Sequence, residues 1–372
     1  MNTTSVRRVA IPAVAAVALG LGLSGCGAAN EQPSNSSGTA KGAAAQGLSG
    51  TLSGAGSTAQ QAAQAAWRAG FQTANPNVTV NYDPVGSGSG VSEFLAGGVS
   101  FAGSDAYLST DELAQSKKVC GGQTAIEVPD YVSPIAIVYN VAGVKNLQLD
   151  AKTLAAIFNG QITQWNDPAI KADNPGVSLP AQRITPVHRS DDSGTTENFT
   201  DYLSQASQSA WGHPASETWP VKSGEGADGT SGVIQAVTNG AGTIGYADAS
   251  QAGQLSVAKI KVGNKYVAPT AAGAAKDLDL SSQVKGRSAN DMAISLNRTT
   301  TDSTAYPLVL VSYLIGCPTY GSARTADLVQ NYFGYVLSGP GQQAAAKTAG
   351  SAPLSSSFSQ KAGAQAQEIS AK

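Results

Sequence analysis

The sequence predicts an α/β protein with a mostly parallel sheet in each domain. Segments with the apolar patterns of strands are followed, along most of the chain, by segments whose apolar residues recur at helical spacing. Two segments, 135–139 and 308–315, are almost continuously apolar, which is typical of strands buried on both faces. Strands that alternate with helices in this way favour parallel pairing.

The chain begins with the pattern of a secretory signal. Arg7 and Arg8 precede an apolar run over 9–23 that is too short to span a bilayer. The run ends in Leu-Ser-Gly-Cys26, which resembles a bacterial lipobox. We therefore predict a lipoprotein signal peptide over 1–25, with Cys26 as the lipidated, palmitate-bearing first residue of the mature chain. The alternative is an ordinary signal peptide followed by a chance cysteine.

Residues 26–47 are rich in Gly, Ala, Ser, Asn and Gln and contain almost no large apolar residues. Such a segment cannot bury enough surface to fold, so we predict a flexible tether. The 325 residues from 48 to 372 suffice for two domains with cores of their own. Without Arg7 and Arg8 the formal charge falls from −2 to −4, which disfavours nucleic acid as a partner.

The cysteines and histidines indicate a disulfide and no metal site. After lipidation of Cys26, only Cys120 and Cys317 remain, and two cysteines in an exported chain favour a disulfide. His188 and His213 are the only histidines, too few for a typical zinc site. We predict neither a metal nor a cofactor.

The first predicted helix follows a glycine-rich turn that carries Ser57 and Thr58 to its N-terminus. Its apolar face consists of Ala59, Ala62, Ala63, Ala66, Trp67, Gly70 and Phe71. The turn also fits the looser G-x-G-x-x-A dinucleotide fingerprint, with Asp83 placed as a ribose-binding acid. That alternative is disfavoured because the preceding strand is short and polar, and an exported lipoprotein has no dinucleotide pool.

A second hydroxyl-rich turn, Gly86-Ser87-Gly88-Ser89-Gly90, follows the predicted strand over 78–82 and leads into a short helix. The next strand ends in Gly-Ser-Asp105. Ligands of open α/β sheets bind at the carboxyl ends of strands, so Asp105 is a candidate ligand. The alternative is that Asp105 caps the following helix, a role that Ser109 is also able to fill.

The third such turn is Ser193-Gly194-Thr195-Thr196, which opens a helix with Phe199, Tyr202 and Leu203 on one face. A helix that begins here directs free N–H groups and its positive dipole end outward, and Arg189 stands four residues earlier. Together these donors predict a socket for a small oxyanion. The alternative is a helix cap beside a surface arginine.

The remaining elements follow the same alternation. They are a helix capped by Asp150, a short helix at Pro168, a strand over 184–187, a helix ended by Gly240, a strand over 243–246, and a helix over 328–337 ended by Gly339. Residues 250–300 are too polar and patternless to assign.

Four segments, in order, resemble the ligand segments of the periplasmic phosphate-binding proteins. They are Gly54-Ala55-Gly56-Ser57-Thr58, Val85-Gly86-Ser87-Gly88-Ser89-Gly90-Val91, Phe101-Ala102-Gly103-Ser104-Asp105-Ala106 and Arg189-Ser190-Asp191-Asp192-Ser193-Gly194-Thr195. The resemblance implies a two-lobed periplasmic-binding-protein fold of type II, in which each lobe is a mixed sheet flanked by helices. Lobe I would comprise 48–130 and 303–372, lobe II would comprise 131–302, and two crossing strands would form the hinge.

The resemblance also implies the function and the residues that carry it. The protein would bind inorganic phosphate with high affinity at the extracytoplasmic face of the cell membrane, anchored through Cys26, and deliver it to an ABC-type permease. We expect a monomer, with a disulfide between Cys120 and Cys317 that joins the two chain segments of lobe I. The implied phosphate ligands are Ser57, Thr58, Ala59, Ser87, Asp105, Arg189, Ser193, Gly194 and Thr195, with Asp191 orienting Arg189.

Three positions depart from the family's usual pattern. Ala59 stands where a Phe is usual, so only its backbone N–H is carried over. Ser-Gly-Ser-Gly over 87–90 replaces the more usual Ser-Ser-Gly-Gly. Asp192 replaces a glycine, and its charge would oppose anion binding unless it faces solvent.

Two other functions compete with phosphate binding. The first is binding of another tetrahedral oxyanion. A lone acceptor such as Asp105 favours a protonated ligand, as phosphate is near neutral pH and sulfate is not. The second is a secreted phosphoesterase that uses Ser193, which would need a base aimed at this nucleophile. His188 lies on the preceding strand, and no G-x-S-x-G elbow is present, so we predict no catalysis.

Overall fold

Strands and helices alternate through most of the computed structural model, which describes residues 47–288 and 291–372. The strands are β1 (Gly50–Gly56), β2 (Val78–Asp83), β3 (Phe101–Ser104), β4 (Ile126–Asn140), β5 (Gln148–Leu149), β6 (Thr185–Arg189), β7 (Glu225–Ala227), β8 (Thr243–Asp248), β9 (Ser256–Val257), β10 (Lys259–Val262), β11 (Lys265–Val267), β12 (Ser282–Gln283), β13 (Ile294–Ser295), β14 (Val309–Gly316), β15 (Thr319–Tyr320) and β16 (Ser370–Ala371). The helices are α1 (Gln61–Ala74), α2 (Ser87–Leu95), α3 (Thr110–Val119), α4 (Ala151–Phe158), α5 (Pro168–Asp173), α6 (Gly194–Ala206), α7 (Gln208–Trp211), α8 (Gly229–Asn239), α9 (Ala271–Asp279), α10 (Ala323–Leu337), α11 (Gly339–Ala349) and α12 (Ser356–Gln367).

The central sheet is mixed. Its strand order is β2-β1-β3-β14-β4-β8-β6-β7, with β9 paired to β4. Pairing is parallel within β1–β3 and within β6–β8, whereas β14 and β4 run antiparallel to their neighbours. The prediction of a mostly parallel sheet is therefore wrong for the middle strands. Apolar periodicity reports burial and carries no information about strand direction, which explains the error.

Strand β4 joins two half-sheets. Its first part, up to Pro134, pairs with β14, and its second part, from Ile135, pairs with β8. We call β1, β2, β3, β14 and residues 126–134 the first half-sheet. The second half-sheet comprises residues 135–140 and β6 to β9. The two apolar strands expected from the sequence are confirmed, and both are buried on both faces.

Local signals account for the main helices. α1 buries Trp67 and Phe71 on its predicted face, and α6 buries Phe199, Tyr202 and Leu203. α3 begins with a capping box in which the Ser109 side chain accepts from the Glu112 N–H. Because Ser109 fills that role, Asp105 is not the cap of α3.

The unassigned region 250–300 contains β9 to β13 and α9. Its strands have only two to four residues, too few to produce a recognisable period. Part of this region lies against the first half-sheet. Arg287 pairs with Glu127 of β4, and the Ile294 N–H donates to the Tyr313 hydroxyl of β14 at 3.0 Å.

The predicted disulfide is confirmed. Cys120 directly follows α3, Cys317 directly follows β14, and their Cα atoms are 5.0 Å apart. The bond therefore joins two chain segments 197 residues apart beside the first half-sheet. The predicted signal peptide, Cys26 and nearly all of the tether lie outside the described residues. Among the helices that the structure does describe, none has the length and apolar character needed to cross a membrane.

Candidate anion-binding site

The three hydroxyl-rich turns and Asp105 meet where strands of the two half-sheets end. Ser57 and Thr58 follow β1, Asp105 follows β3, and Arg189 ends β6. Ser87 and Gly194 are the first residues of α2 and α6. A Cβ built on Gly194 would lie 2.8 Å from the Ser87 Oγ and 2.9 Å from the Asp105 Cβ. Three of the four segments thus meet at Gly194, and the Ser57 segment joins them through a hydrogen bond to Asp105. Asp105 and Thr195 are in contact although 90 residues separate them along the chain.

Asp105 is a buried carboxylate whose partners are hydroxyls. Its Oδ1 accepts from the Ser57 Oγ at 2.6 Å and from the Ser312 Oγ, and its Oδ2 accepts from the Thr195 Oγ1 at 2.9 Å. Burial raises the pKa of Asp105, while these three hydroxyls and the charge of Arg189 oppose the shift. Asp105 is therefore an acceptor in a site otherwise built from donors.

Arg189 is the cation of the site and is only 2% exposed. Its Nε donates to the Asp191 Oδ1 at 2.6 Å, and its Nη2 pairs with the Asp191 Oδ2. Burial by itself would raise the pKa of Asp191, but the hydrogen bonds and charge of Arg189 outweigh it, and the pKa is lowered. The ion pair uses two of the five guanidinium N–H groups and fixes the direction of the rest.

The start of α6 adds backbone donors. Ser193 is the N-cap, and its Oγ accepts from the Thr196 N–H at 3.2 Å. The N–H groups of Gly194 and Thr195 precede the helical hydrogen-bond ladder, so they are available to an anion at this end of the helix.

The turn after β1 is held by bonds of its own. The Ser57 Oγ accepts from the Ala59 N–H at 3.0 Å. The Thr58 Oγ1 lies 2.9 Å from the Thr230 Oγ1 and accepts from the Thr230 N–H at 3.1 Å. Ser87 contributes by accepting the Asp105 N–H at 3.1 Å. In this structure Ser57 and Ser87 therefore bond to Asp105, Thr58 links the two half-sheets through Thr230, and the Ala59 N–H stays within its own turn.

Sequence reasoning missed three residues of the site: Ser312, Asn198 and Thr230. Ser312 is the one serine or threonine in the apolar segment 308–315, and a lone small polar residue in a buried strand is a usable signal. Asn198 stands four residues after Gly194, so both lie on the same face of α6. Thr230 follows a short strand at the start of α8 and carries no distinguishing local pattern.

Asn198 is held in one orientation by Arg298. The Arg298 Nη2 donates to the Asn198 Oδ1 at 2.6 Å, and its Nε pairs with the Asp201 Oδ2 at 2.8 Å. Because the Asn198 oxygen accepts from arginine, its amide nitrogen must donate. It does so to the Asp105 backbone O at 2.7 Å and to the Gly194 O at 2.9 Å. Arg298 thus fixes the bond between the acceptor segment and α6.

Two further side chains bear on the alternatives. Asp192 is exposed, and its Oδ1 accepts from the Thr218 Oγ1 at 2.7 Å, so its charge faces solvent. His188 stacks on Trp219 with ring centroids 4.9 Å apart, and its Nδ1 lies 2.8 Å from the Arg189 O. Its hydrogen bond goes to the backbone and not to Ser193, so the geometry places no histidine base on that serine.

Comparison with known proteins identifies the family of this chain. The family described as the PBP superfamily domain matches residues 41–340. Phosphate-binding protein PstS 2 of Mycobacterium tuberculosis is 38% identical over 367 residues, covering 96% of this chain and 98% of the relative. The chain belongs to the PstS-type phosphate-binding proteins of this superfamily. Phosphate-binding protein PstS 3 of Mycobacterium leprae, another member, is 37% identical over 345 residues, covering 88% of this chain and 90% of the relative.

Solved structures give the same fold. A periplasmic phosphate-binding protein, PfluDING, solved with phosphate bound, has a TM-score of 0.70 at 24% identity and covers 85% of this chain and 93% of its own. A phosphate-binding protein from Stenotrophomonas maltophilia has a TM-score of 0.67 at 21% identity, with the same coverage of both chains. The predicted periplasmic-binding-protein fold of mixed sheets and flanking helices is confirmed. The relatives are named as binding proteins, and none of these names denotes an enzyme.

Proposed function

We propose that this protein binds inorganic phosphate outside the cytoplasm and delivers it to an ABC-type import permease. The observation that carries the proposal is a single buried acceptor, Asp105, placed among the donors of Arg189 and the start of α6. Relatives named phosphate-binding protein support it over nearly the whole chain.

The chemistry of the site suits a protonated tetrahedral anion. The unused N–H groups of Arg189 and the N–H groups of Gly194 and Thr195 donate to the oxygens of the ligand. The P–OH of phosphate then donates to Asp105, which no sulfate oxygen is able to do near neutral pH. A buried acceptor left facing a lone pair costs enough to discriminate by several powers of ten.

We assign the remaining contacts to hydroxyl and backbone donors around this core. On closure over phosphate, Thr195 would exchange its bond to Asp105 for the ligand. The proposed phosphate ligands are Ser57, Thr58, Ala59, Ser87, Asp105, Arg189, Ser193, Gly194 and Thr195, with Asp191 orienting Arg189.

The same proposal includes the lobes and the oligomeric state. Lobe I comprises residues 48–130 and 303–372, lobe II comprises residues 131–302, and the protein is a monomer. The sharing of β4 between two half-sheets supports hinge closure at residues 134–135.

Titration calorimetry of protein stripped of ligand tests the proposal directly. We expect tight one-to-one binding of phosphate, comparable binding of arsenate, and no measurable binding of sulfate. Equal binding of sulfate would favour a general oxyanion carrier, and absence of phosphate binding would refute the proposal. Turnover of a phosphate ester, lost on Ser193→Ala, would instead establish the phosphoesterase alternative.

Anchoring through Cys26 is also part of the proposal, and it rests on the Leu-Ser-Gly-Cys motif and the polar tether. Cys26→Ala should release the protein from the membrane fraction or block its processing. Normal cleavage and continued membrane attachment of this variant would rule out the lipid anchor.

A further inference from the structure

Two glycines at the start of α2 lie directly under acidic residues of the second half-sheet. A Cβ built on Gly88 would lie 2.7 Å from the Asp192 Cβ and 2.6 Å from the Glu217 Oε2. A Cβ on Gly86 would lie 2.7 Å from the Asp191 Oδ2. Carbon atoms do not approach each other this closely, so any side chain at position 88 would force the two segments apart.

The contact crosses between the two half-sheets. α2 follows β2 of the first half-sheet, whereas Asp192 follows β6 of the second. The Gly88 N–H donates to the Asp192 backbone O at 3.3 Å across this junction. The acidic side is fixed by bonds of its own, from the Thr218 Oγ1 to the Asp192 Oδ1 at 2.7 Å and from the Ser193 N–H to the Glu217 O at 3.2 Å.

One charge at the contact is complementary to the helix. The start of α2 carries the positive end of the helix dipole, and the Asp191 carboxylate lies beside Gly86. The Asp192 carboxylate faces Thr218 and solvent, and burial raises the pKa of Glu217 to about 8, so the Glu217 carboxyl beside Gly88 is mostly uncharged near neutral pH. Ser87, which bonds the Asp105 N–H, is the neighbour of Gly88, and Ser193, the cap of α6, is the neighbour of Asp192. The contact therefore joins the residues that flank the two sides of the proposed anion site.

We propose that Gly88 and Asp192 form a closure latch that holds the two half-sheets together over the ligand. They are positioning residues: Gly88 leaves the space that Asp192 fills, and the N–H to carbonyl bond between them favours the closed arrangement. The expected effect of the latch on phosphate affinity rests on the proposed function. The apparent affinity for phosphate falls in proportion to the population of the closed state. Loss of the latch lowers that population and therefore raises the Kd for phosphate.

The test is a double-mutant cycle with Gly88→Ser, Asp192→Gly and the double variant. Gly88→Ser should raise the Kd for phosphate by about tenfold or more, since the added Cβ collides with the Asp192 Cβ. Asp192→Gly keeps the backbone bond and should change the Kd by less than about threefold. In the double variant the missing Asp192 side chain makes room for the serine, and the Glu217 carboxyl, at the end of a flexible side chain, is able to turn away. The Kd should therefore return to within about threefold of Asp192→Gly.

Gly321→Ser is the matched control, because Gly321 is exposed and nothing lies within 4 Å of its added Cβ. It should bind phosphate as the wild type does. Equal loss of affinity from Gly88→Ser in the wild-type and Asp192→Gly backgrounds would overturn the latch, because a general loss of folding or flexibility is not rescued by removing Asp192. Wild-type affinity in Gly88→Ser would overturn it as well.

Small-angle scattering of the ligand-free variants separates the latch from the proposed function. We expect a larger radius of gyration in Gly88→Ser than in the wild type, and recovery in the double variant. If the wild type fails to bind phosphate, the proposed function fails and the scattering series still tests the latch. Identical scattering from all ligand-free variants, together with an additive cycle of Kd values, would leave phosphate binding intact and refute the latch.

Discussion

The two sides of the anion site treat a buried carboxylate in opposite ways. On the first half-sheet, Asp105 is bonded by the hydroxyls of Ser57, Thr195 and Ser312, and its pKa is raised by burial. On the second, Asp191 is buried to a lesser degree, and its ion pair with Arg189 lowers its pKa. One carboxylate has no cation of its own, and the other has one at hydrogen-bonding distance.

On the proposed function, this difference separates affinity from selectivity. Asp191 would hold the Arg189 guanidinium in a direction that serves any anion, although its own charge offsets part of the attraction. Asp105 would repel an anion unless the anion supplies a proton, so it would select among anions at some cost in attraction. The two sides are therefore expected to respond differently to substitution, and four experiments test that expectation.

The largest effect is expected from Arg189→Ala, which removes the cation from the donor side. Hydrogen bonds to charged groups are worth about 1.5–3 kcal/mol, so the affinity for phosphate should fall roughly ten- to a hundredfold. Arsenate affinity should fall by the same factor, because the loss is not selective. Calorimetry measures both, with the exposed Arg183→Ala as the control for removal of a positive charge. A loss of affinity for only one of the two anions would contradict the idea that Arg189 contributes affinity without selectivity.

Asp105→Asn should mainly change selectivity. Asparagine keeps the size of the side chain, removes its charge and adds an N–H₂ donor, so sulfate should gain about tenfold or more in affinity while phosphate loses less. Asp192→Asn removes a carboxylate beside the same site that faces solvent, and it should shift both anions by less than about threefold. If sulfate stays excluded from Asp105→Asn, Asp105 is not the selector.

A smaller loss is expected from Arg298→Met, which acts on the site through Asn198. Losing the bond that orients the Asn198 amide should cost about 0.5–1.5 kcal/mol, or roughly two- to tenfold in phosphate affinity. Asn198→Ala should cause a similar loss. Since both changes remove the same bond to Asp105, the double variant should lose little more than either single one. Additive losses would show that Arg298 acts elsewhere.

The smallest effect concerns stability without ligand, where the two carboxylates should differ in sign. The pKa of Asp105 is raised in the folded state, so its ionisation lowers the free energy of unfolding as the pH rises above the ordinary range of an aspartate. Asp105→Asn should therefore be neutral or stabilising at pH 8, by about 1 kcal/mol at most. The pKa of Asp191 is lowered in the folded state, so its charge stabilises the fold above the ordinary range of an aspartate, and this stabilisation is lost as the pH falls. Asp191→Asn should therefore destabilise the protein at pH 8 and much less at pH 3. Thermal unfolding at both pH values measures this, and equal signs would contradict the comparison.

Much of this site was readable from the sequence because its signals are local. The turns before α1, α2 and α6 show themselves through glycine and hydroxyl residues next to a helical period, and Asp105 and Arg189 stand at predicted strand ends. The disulfide was equally accessible, since the lipobox prediction for Cys26 leaves Cys120 and Cys317 to pair. The turns and strand ends depend on residues near one another in the chain, and the disulfide depends on there being a single possible pairing.

Only the tertiary structure revealed the bonds between distant segments. Ser312 reaches Asp105 across 207 residues, and Arg298 reaches Asn198 across 100. Local sequence periodicity carries no information about such distant pairs. It also does not reveal the direction of β4 or the presence of the short strands in 250–300. The role of Asp192 was undecided for the same reason: whether its charge faces the anion or solvent depends on Thr218 and Gly88, which only the folded chain places beside it.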